Sequence, residues 1–269
     1  MGVIAMQSAS SGLKALNTRL DVIANNLANV NTEGFKASRA NFEDLLYIER
    51  AQPGVENNNG DQRPTGLYVG LGVKVSGTQQ DFNLGPPVPS DNPLDMMIQG
   101  KGFFQVQVQD ELGPGGVAYT RAGNFTLNAD GELVLANSDG RRLDPPITID
   151  PAATAVSVDQ DGQVYQQLPG DTDPQPIGQI ELAMFVNPTG LKQIGQNLWV
   201  ESAASGPAIT GEPATLNFGS IRGNSLEGSN VDPARELIEL IRTQRAFEMN
   251  SQSIRAADET LRTVSQLRQ

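Results

Sequence analysis

The sequence predicts a mainly β central domain, antiparallel and rich in Gly/Pro turns, between long N- and C-terminal α-helices that form a coiled-coil-like inner domain. Three observations support that class. Residues 51–230 hold 25 of the 28 Gly and 16 of the 17 Pro. The same stretch has 8 basic and 20 acidic side chains, which accounts for the whole net charge of −12 because acids and bases balance at both ends. Apolar residues recur every three or four positions at the ends and every second position in the middle.

At the N-terminal end, Met6, Leu13, Leu20 and Leu27 are seven apart, as are Ala9, Leu16, Ile23 and Val30. A helix over residues 3–30 would run about 40 Å at 1.5 Å per residue. Asn29, Asn31 and Gly34 supply its stop, since these residues tolerate the left-handed turn after a helix.

The C-terminal end repeats the pattern. Asp232 is placed as an N-cap and Pro233 as the first helical residue. Leu240, Phe247, Ile254 and Leu261 then recur every seven residues, with Thr243, Asn250, Ala257 and Val264 between them. This seam is half polar, and a buried Asn in such a position fixes register, a role that falls to Asn250. Each stripe is narrow and needs a partner. The two helices either pack on the middle domain or form a coiled coil with each other and with neighbouring copies. The narrow seam and the neutral charge of both ends favour the second.

The middle reads as short strands. Phe104, Val106 and Val108 alternate with Gln105, Gln107 and Gln109. Residues Tyr119–Leu127, the turn Asn128-Ala129-Asp130-Gly131 and then Leu133 and Leu135 read as a hairpin. Ile147 with Ile149, Val156 with Val158, and residues 163–166, 180–186 and 197–201 continue the style. Residues 51–66, AQPGVENNNGDQRPTG, have almost no apolar content. They read as a loop or linker, or as an extended arm that orders against a neighbour. The expected division is a terminal helical domain from 1–33 with 231–269, a connecting segment 34–75 with an extended insertion at 46–66, and a β-rich outer domain at 76–230.

Composition excludes much chemistry. Without Cys there are no disulfides or thiolate metal sites, and without His the usual general base and zinc ligand are missing. The acidic middle argues against nucleic acid. No apolar run reaches the length of a membrane span, so no membrane insertion is expected. Ser11-Gly12-Leu13-Lys14 and Ser90-Asp91-Asn92 match two of the three signatures of serine acyl-enzymes, but the third, K-T-G, is absent. Asp159-Gln160-Asp161-Gly162 opens like a calcium loop without the later ligands. No catalytic, cofactor-binding or metal residue is assigned. The first residues lack the basic region of a secretory signal.

Residues 24–36, ANNLANVNTEGFK, resemble the N-terminal signature of bacterial flagellar rod and hook proteins, with Asn25, Asn26, Leu27, Asn29, Asn31, Gly34 and Phe35 as motif positions. Gly100-Lys101-Gly102-Phe103-Phe104 and Tyr119–Phe125 are similar to that family's central motifs, and residues 228–254 to its C-terminal signature. Residues 46–66 resemble the longer stretch that distal-rod members carry after the first helix.

The resemblance implies a structural, non-enzymatic, cofactor-free subunit of the basal-body distal rod. Such a subunit polymerises into a rigid helical tube that transmits torque to the hook and encloses the export channel. Implied partners are further copies of the chain, proximal rod proteins, the hook protein, the P-ring and L-ring proteins and the flagellar type III export apparatus. The implied location is the basal body, from periplasm to outer membrane, reached without a cleaved signal peptide. A proximal rod protein and an exported β-rich adhesin stay open as alternatives. Self-assembly is expected of Met6, Ala9, Leu13, Leu16, Leu20, Ile23, Leu27 and Val30, and of Leu240, Phe247, Asn250, Ile254 and Leu261, with 46–66 bracing adjacent copies.

Overall fold

The computed structural model describes residues 2–54, 64–109, 111–170, 173–215 and 217–266. The described chain is mainly β with one long helix near each end. It falls into two compact units. The first comprises residues 1–28, 38–80 and 232–269, and the second residues 29–37 and 81–231. Residues 38–80 thus join the helices, whereas 29–37 join the strands of the second unit.

The first unit contains α1 (Gly2–Ala28), β1 (Ser38–Asp44), β2 (Tyr47–Ala51), β3 (Leu67–Gly70), β4 (Val73–Gln80) and α2 (Pro233–Gln266). α2 starts as its sequence indicates. The Asp232 carboxylate accepts the amides of Ala234 (3.0 Å) and Arg235 (3.2 Å), satisfying N–H groups that the first helical turn leaves free. The helices run antiparallel: Arg19 pairs with Glu239 at 2.6 Å, and the Asn250 side chain donates to the Ala9 carbonyl at 3.0 Å. β1 and β4 form an antiparallel ladder from Ser38↔Gln80 to Asp44↔Val73. β2 and β3 form another, from Tyr47↔Gly70 to Ala51↔Leu67. Both flanks of the 46–66 stretch are therefore paired strand, while 55–63 lie outside the described residues.

The second unit contains β5 (Pro87–Pro89), β6 (Met96–Gln99), β7 (Phe103–Gln107), β8 (Val117–Thr120), β9 (Phe125–Leu127), β10 (Leu133–Leu135), β11 (Ala155–Val158) and β12 (Gln163–Gln167). It continues with β13 (Gln175–Gln179), β14 (Leu182–Met184), β15 (Lys192–Gly195), β16 (Leu198–Val200), β17 (Ile209–Gly211), β18 (Ser220–Gly223) and β19 (Ser225–Glu227). A six-stranded sheet has the order β15-β16-β8-β7-β14-β17, beside a three-stranded sheet β11-β12-β13 and the pairs β9-β10, β6-β18 and β5-β19. All pairings between these strands are antiparallel.

The two-residue period of β7 sorts its side chains to opposite faces of the sheet. Phe104 and Val106 enter a core with Met96, Ile98, Phe125, Leu133, Leu143 and Ile180. Phe103 enters a second cluster with Tyr119, Phe185, Leu191 and Trp199, where rings meet edge to face at 4.7 Å for Tyr119–Phe185 and 5.9 Å for Phe103–Trp199.

Residues 119–127, expected as one strand, are two. β8 ends at Thr120 and β9 starts at Phe125. Between them Arg121 turns inward, and Gly123 passes so close to the Met96 carbonyl that a Cβ would collide with it. The hairpin around Asn128–Gly131 joins β9 to β10, with Leu127 opposite Leu133. Of the three residues expected to turn left-handed after α1, only Gly34 has positive φ, at 67°.

Candidate functional site

Two sets of residues stand out, one in each unit. In the second unit the family-like segments converge on a buried carboxylate. Glu227, at the end of β19, is fully buried and pairs with Lys36 at 2.5 Å and with Arg121 at 3.1 Å. One oxygen also accepts the amide of Gly85 at 3.0 Å, and the Glu227 carbonyl accepts the amide of Gly34 at 2.7 Å. Arg121 donates to the carbonyls of Gly102 (2.7 Å) and Gly100 (2.9 Å) and stacks over the Phe103 ring at 5.8 Å. Lys36 donates to the Asn83 carbonyl at 2.7 Å.

Two buried cations thus share one buried anion, and three further N–H groups are directed to the backbone carbonyls of Asn83, Gly100 and Gly102, in keeping with the need to pair charge in a low-dielectric interior. Burial pushes the Lys36 ammonium below the ordinary lysine range, and the attraction of Glu227 opposes that shift.

The motif positions take distinct parts. Gly34 sits against the backbone of Ala122, where a Cβ would come within 2.6 Å of its nitrogen, so residues 34–36 can reach Glu227 only without a side chain there. Phe35 is buried and its carbonyl accepts the amide of Asn230. Asn29 accepts the Thr32 hydroxyl at 3.1 Å, closing the turn after α1. Asn31 and Asn25 are exposed and Leu27 is half-buried. Asn26, in the first unit, is almost wholly buried. Its amide donates to the Ser38 carbonyl at 2.8 Å and to Glu236 at 3.3 Å, and its oxygen accepts the Ser38 amide at 2.9 Å.

The second set is the surface of the helix pair. Met6, Ala9, Leu13, Leu16, Leu20 and Leu27 are half-buried and Ile23 is buried, while Val30 lies past the helix end and is half-buried. Ala15 and Asn26 are buried more deeply than most of these, so α1 packs with a wider stripe than the heptad marks. On α2, Leu240, Phe247, Asn250 and Ile254 are half-buried and Thr243 is buried. Leu261 falls in the helix, and its side chain is outside the described residues. Leu237, Ile238, Ile241 and Met249 are exposed by 46%, 51%, 49% and 62%. Another apolar patch covers the β2–β3 ladder, where Leu46, Tyr47, Leu67 and Tyr68 are exposed.

The enzyme-like fragments have structural partners. The Ser11 hydroxyl donates to the Ser8 carbonyl at 2.8 Å and accepts the amide of Val73 at 3.2 Å. Ser90, Asn92 and Asp95 bond to one another within a single turn. Asp159–Gly162 forms the tight turn between β11 and β12, closed by Gly162 N–H to the Asp159 carbonyl at 3.1 Å.

Sequence reasoning missed Lys36, Arg121 and Glu227 as a group, and Asn230 with them. A partial signal was present, since Lys36 follows Gly-Phe at the foot of a helix and Arg121 interrupts an apolar strand.

Comparison with known proteins matches three family models in succession. They are "Flagella basal body rod protein" at residues 6–36, "Flagellar hook protein FlgE/F/G D1 domain" at 97–166 and "Flagellar basal body rod FlgEFG protein C-terminal" at 222–267. The chain is 45% identical to flagellar basal-body rod protein FlgG of Caulobacter vibrioides, covering 98% of this chain and 99% of that one. It is 35% identical to FlgG of Bacillus subtilis, covering 98% of both. It is 25% identical to flagellar hook protein FlgE of Salmonella typhimurium over 98% of this chain. With its helical ends, its buried motif cluster and its near full-length likeness to these rod proteins, the chain belongs to the FlgG family of flagellar basal-body rod proteins, the structural subunits of the distal rod.

Proposed function

We propose that the chain polymerises into a rigid helical tube that encloses the export channel and passes motor torque to the hook. The observation that carries this reading is the exposed stripe on α2. Ile238, Ile241 and Met249 lie at helical spacing on a helix whose other side is packed against α1. Burying such side chains stabilises an interface by roughly 1.5–3 kcal/mol each, so neighbouring copies are their natural cover. The half-buried heptad positions of α1 and α2 complete the seam. Partners at the tube's ends and flanks are the proximal rod proteins, the hook protein and the P-ring and L-ring proteins. The chain reaches the basal body through the flagellar type III apparatus. No described helix is long and apolar enough to cross a membrane.

Ile241→Asp is the direct test. It lies outside the packed side of α2, so the chain should stay folded, with unchanged circular dichroism, and form no tubes by negative-stain microscopy. Normal tubes from that variant would overturn the assembly reading. The apolar patch of β2 and β3 braces adjacent copies against bending. Replacing Tyr47 and Leu67 by Ser should leave the monomer's melting unchanged and soften the tube, and an unaltered bending stiffness would reject the brace.

A further inference from the structure

The chain passes between its two units at residues 28/29, 37/38, 80/81 and 231/232. Within the second unit, the three segments that run to 37, from 81 and to 231 are gathered by one side chain. Asn230 accepts the amide of Ala37 at 2.7 Å and donates to the carbonyls of Asp81 at 2.7 Å and Asn83 at 3.2 Å. The Asp81 amide in turn donates to the Ala37 carbonyl at 2.8 Å. Glu227, three residues earlier, holds Lys36, Gly85 and Gly34. None of these groups belongs to the apolar core around Phe104, and Asn230, Asp81 and Asn83 are half-buried or exposed.

We infer that Asn230 and Glu227 form a clasp that opens and closes as one piece, releasing the segments at 34–37 and 81–85 while the β7–β8 core stays paired. The chemistry favours such a piece. The clasp is held chiefly by hydrogen bonds and one shared carboxylate. The large apolar side chains its released segments bury are Phe35 and, in part, Phe82, which packs on Phe103 and Trp199. The core around Phe104 has 18 buried residues, so opening the clasp costs less than exposing that core. Its members are also coupled, because Asn83 is bonded by both Asn230 and Lys36, and Lys36 by Glu227. The inference concerns the single chain and holds whether or not the tube reading does.

Native-state hydrogen exchange on the full chain tests it. The amides of Gly34, Ala37, Asp81 and Gly85 should exchange through one shared opening, at least about tenfold faster than those of Val106 and Ala118. Asn230→Ala should speed all four by a further factor of about ten and leave Val106 and Ala118 unchanged. Gly34 and Gly85 are the decisive probes, since Asn230 touches neither. Exchange of the four at the core's rate would overturn the clasp, as would a variant in which only Ala37 responds or the core speeds up alongside. The measurement on the unaltered chain requires no variant, so a failure of Asn230→Ala to fold leaves the test intact.

Discussion

Asn250 reaches across the helix pair to Ala9, 241 residues earlier in the chain, with its Nδ2 donating to the Ala9 carbonyl at 3.0 Å. It does so over Gly12, where a Cβ would stand only 2.6 Å from that nitrogen. The glycine is a weak helix former placed where the crossing carboxamide needs room.

Gly12→Ala therefore sets two effects against each other. Alanine improves intrinsic helix propensity by about 1 kcal/mol. The clash displaces Asn250 and costs its hydrogen bond, together with close packing of α1 on α2. The expected result is a lower midpoint in a far-UV circular dichroism melt. A gain of about 1 kcal/mol would show that the carboxamide swings aside freely.

Glu227→Gln should be far more severe. It leaves Lys36 and Arg121 buried without a counter-charge, a loss of about 3–5 kcal/mol by urea unfolding. Adding Lys36→Met should recover part of it, because one of the two uncompensated cations is removed. A double variant no more stable than the single one would show that Lys36 contributes packing and not charge.

Tyr119 provides an alkaline signature. Burial, with Glu201 and Asp144 nearby, pushes its phenol up from 10.0 to about 12. The folded chain then keeps a proton that the unfolded chain has lost, so stability is intact below pH 10 and falls as pH rises from 10 to 12. Tyr119→Phe should be close to neutral at pH 7 and abolish on the order of 2 kcal/mol of that alkaline loss. An unchanged slope of stability against pH would remove Tyr119 as its source.

Glu236 acts in the opposite pH range. Burial raises its carboxyl above 4.5, and the hydrogen bond from Asn26 only partly offsets the shift. The folded form holds the proton longer than the unfolded form, so the helix pair loses stability as pH climbs from 4.5 through the folded value. Glu236→Gln should flatten this fall and raise the melting temperature at neutral pH. A lower melting temperature at pH 7 would show that the ionised carboxylate is worth more than its burial costs.

The two helices were legible because their information is local. The seven-residue recurrence of Leu13, Leu20 and Leu27, and the Asp232-Pro233 start, each need only a few neighbouring residues to be read. The hairpin at Asn128–Gly131 was legible for the same reason. β1 and β4 were not. SRANFED and VKVSGTQQ carry no clean alternation, because much of both strands is exposed and their pairing is set by residues 29 to 42 positions away. Nothing local announces that Lys36, Arg121 and Glu227 are inside, since isolated charges are usually on the surface. Their burial follows from three distant segments arriving together. The most deeply buried residues of α1, Ala15 and Asn26, are small or polar and escape a search for large apolar residues.

One unit is assembled from both ends of the chain, with the other unit between them. A product that stops short of residue 232 retains β1 through β19 but leaves the side of α1 that faces α2 uncovered. Its defect would then be displayed at the other end of the chain, as a half-uncovered helix at the amino terminus. Cellular proteases and chaperones treat exposed stretches of that kind as damage. The architecture makes the first helix a witness to whether the last one was ever made.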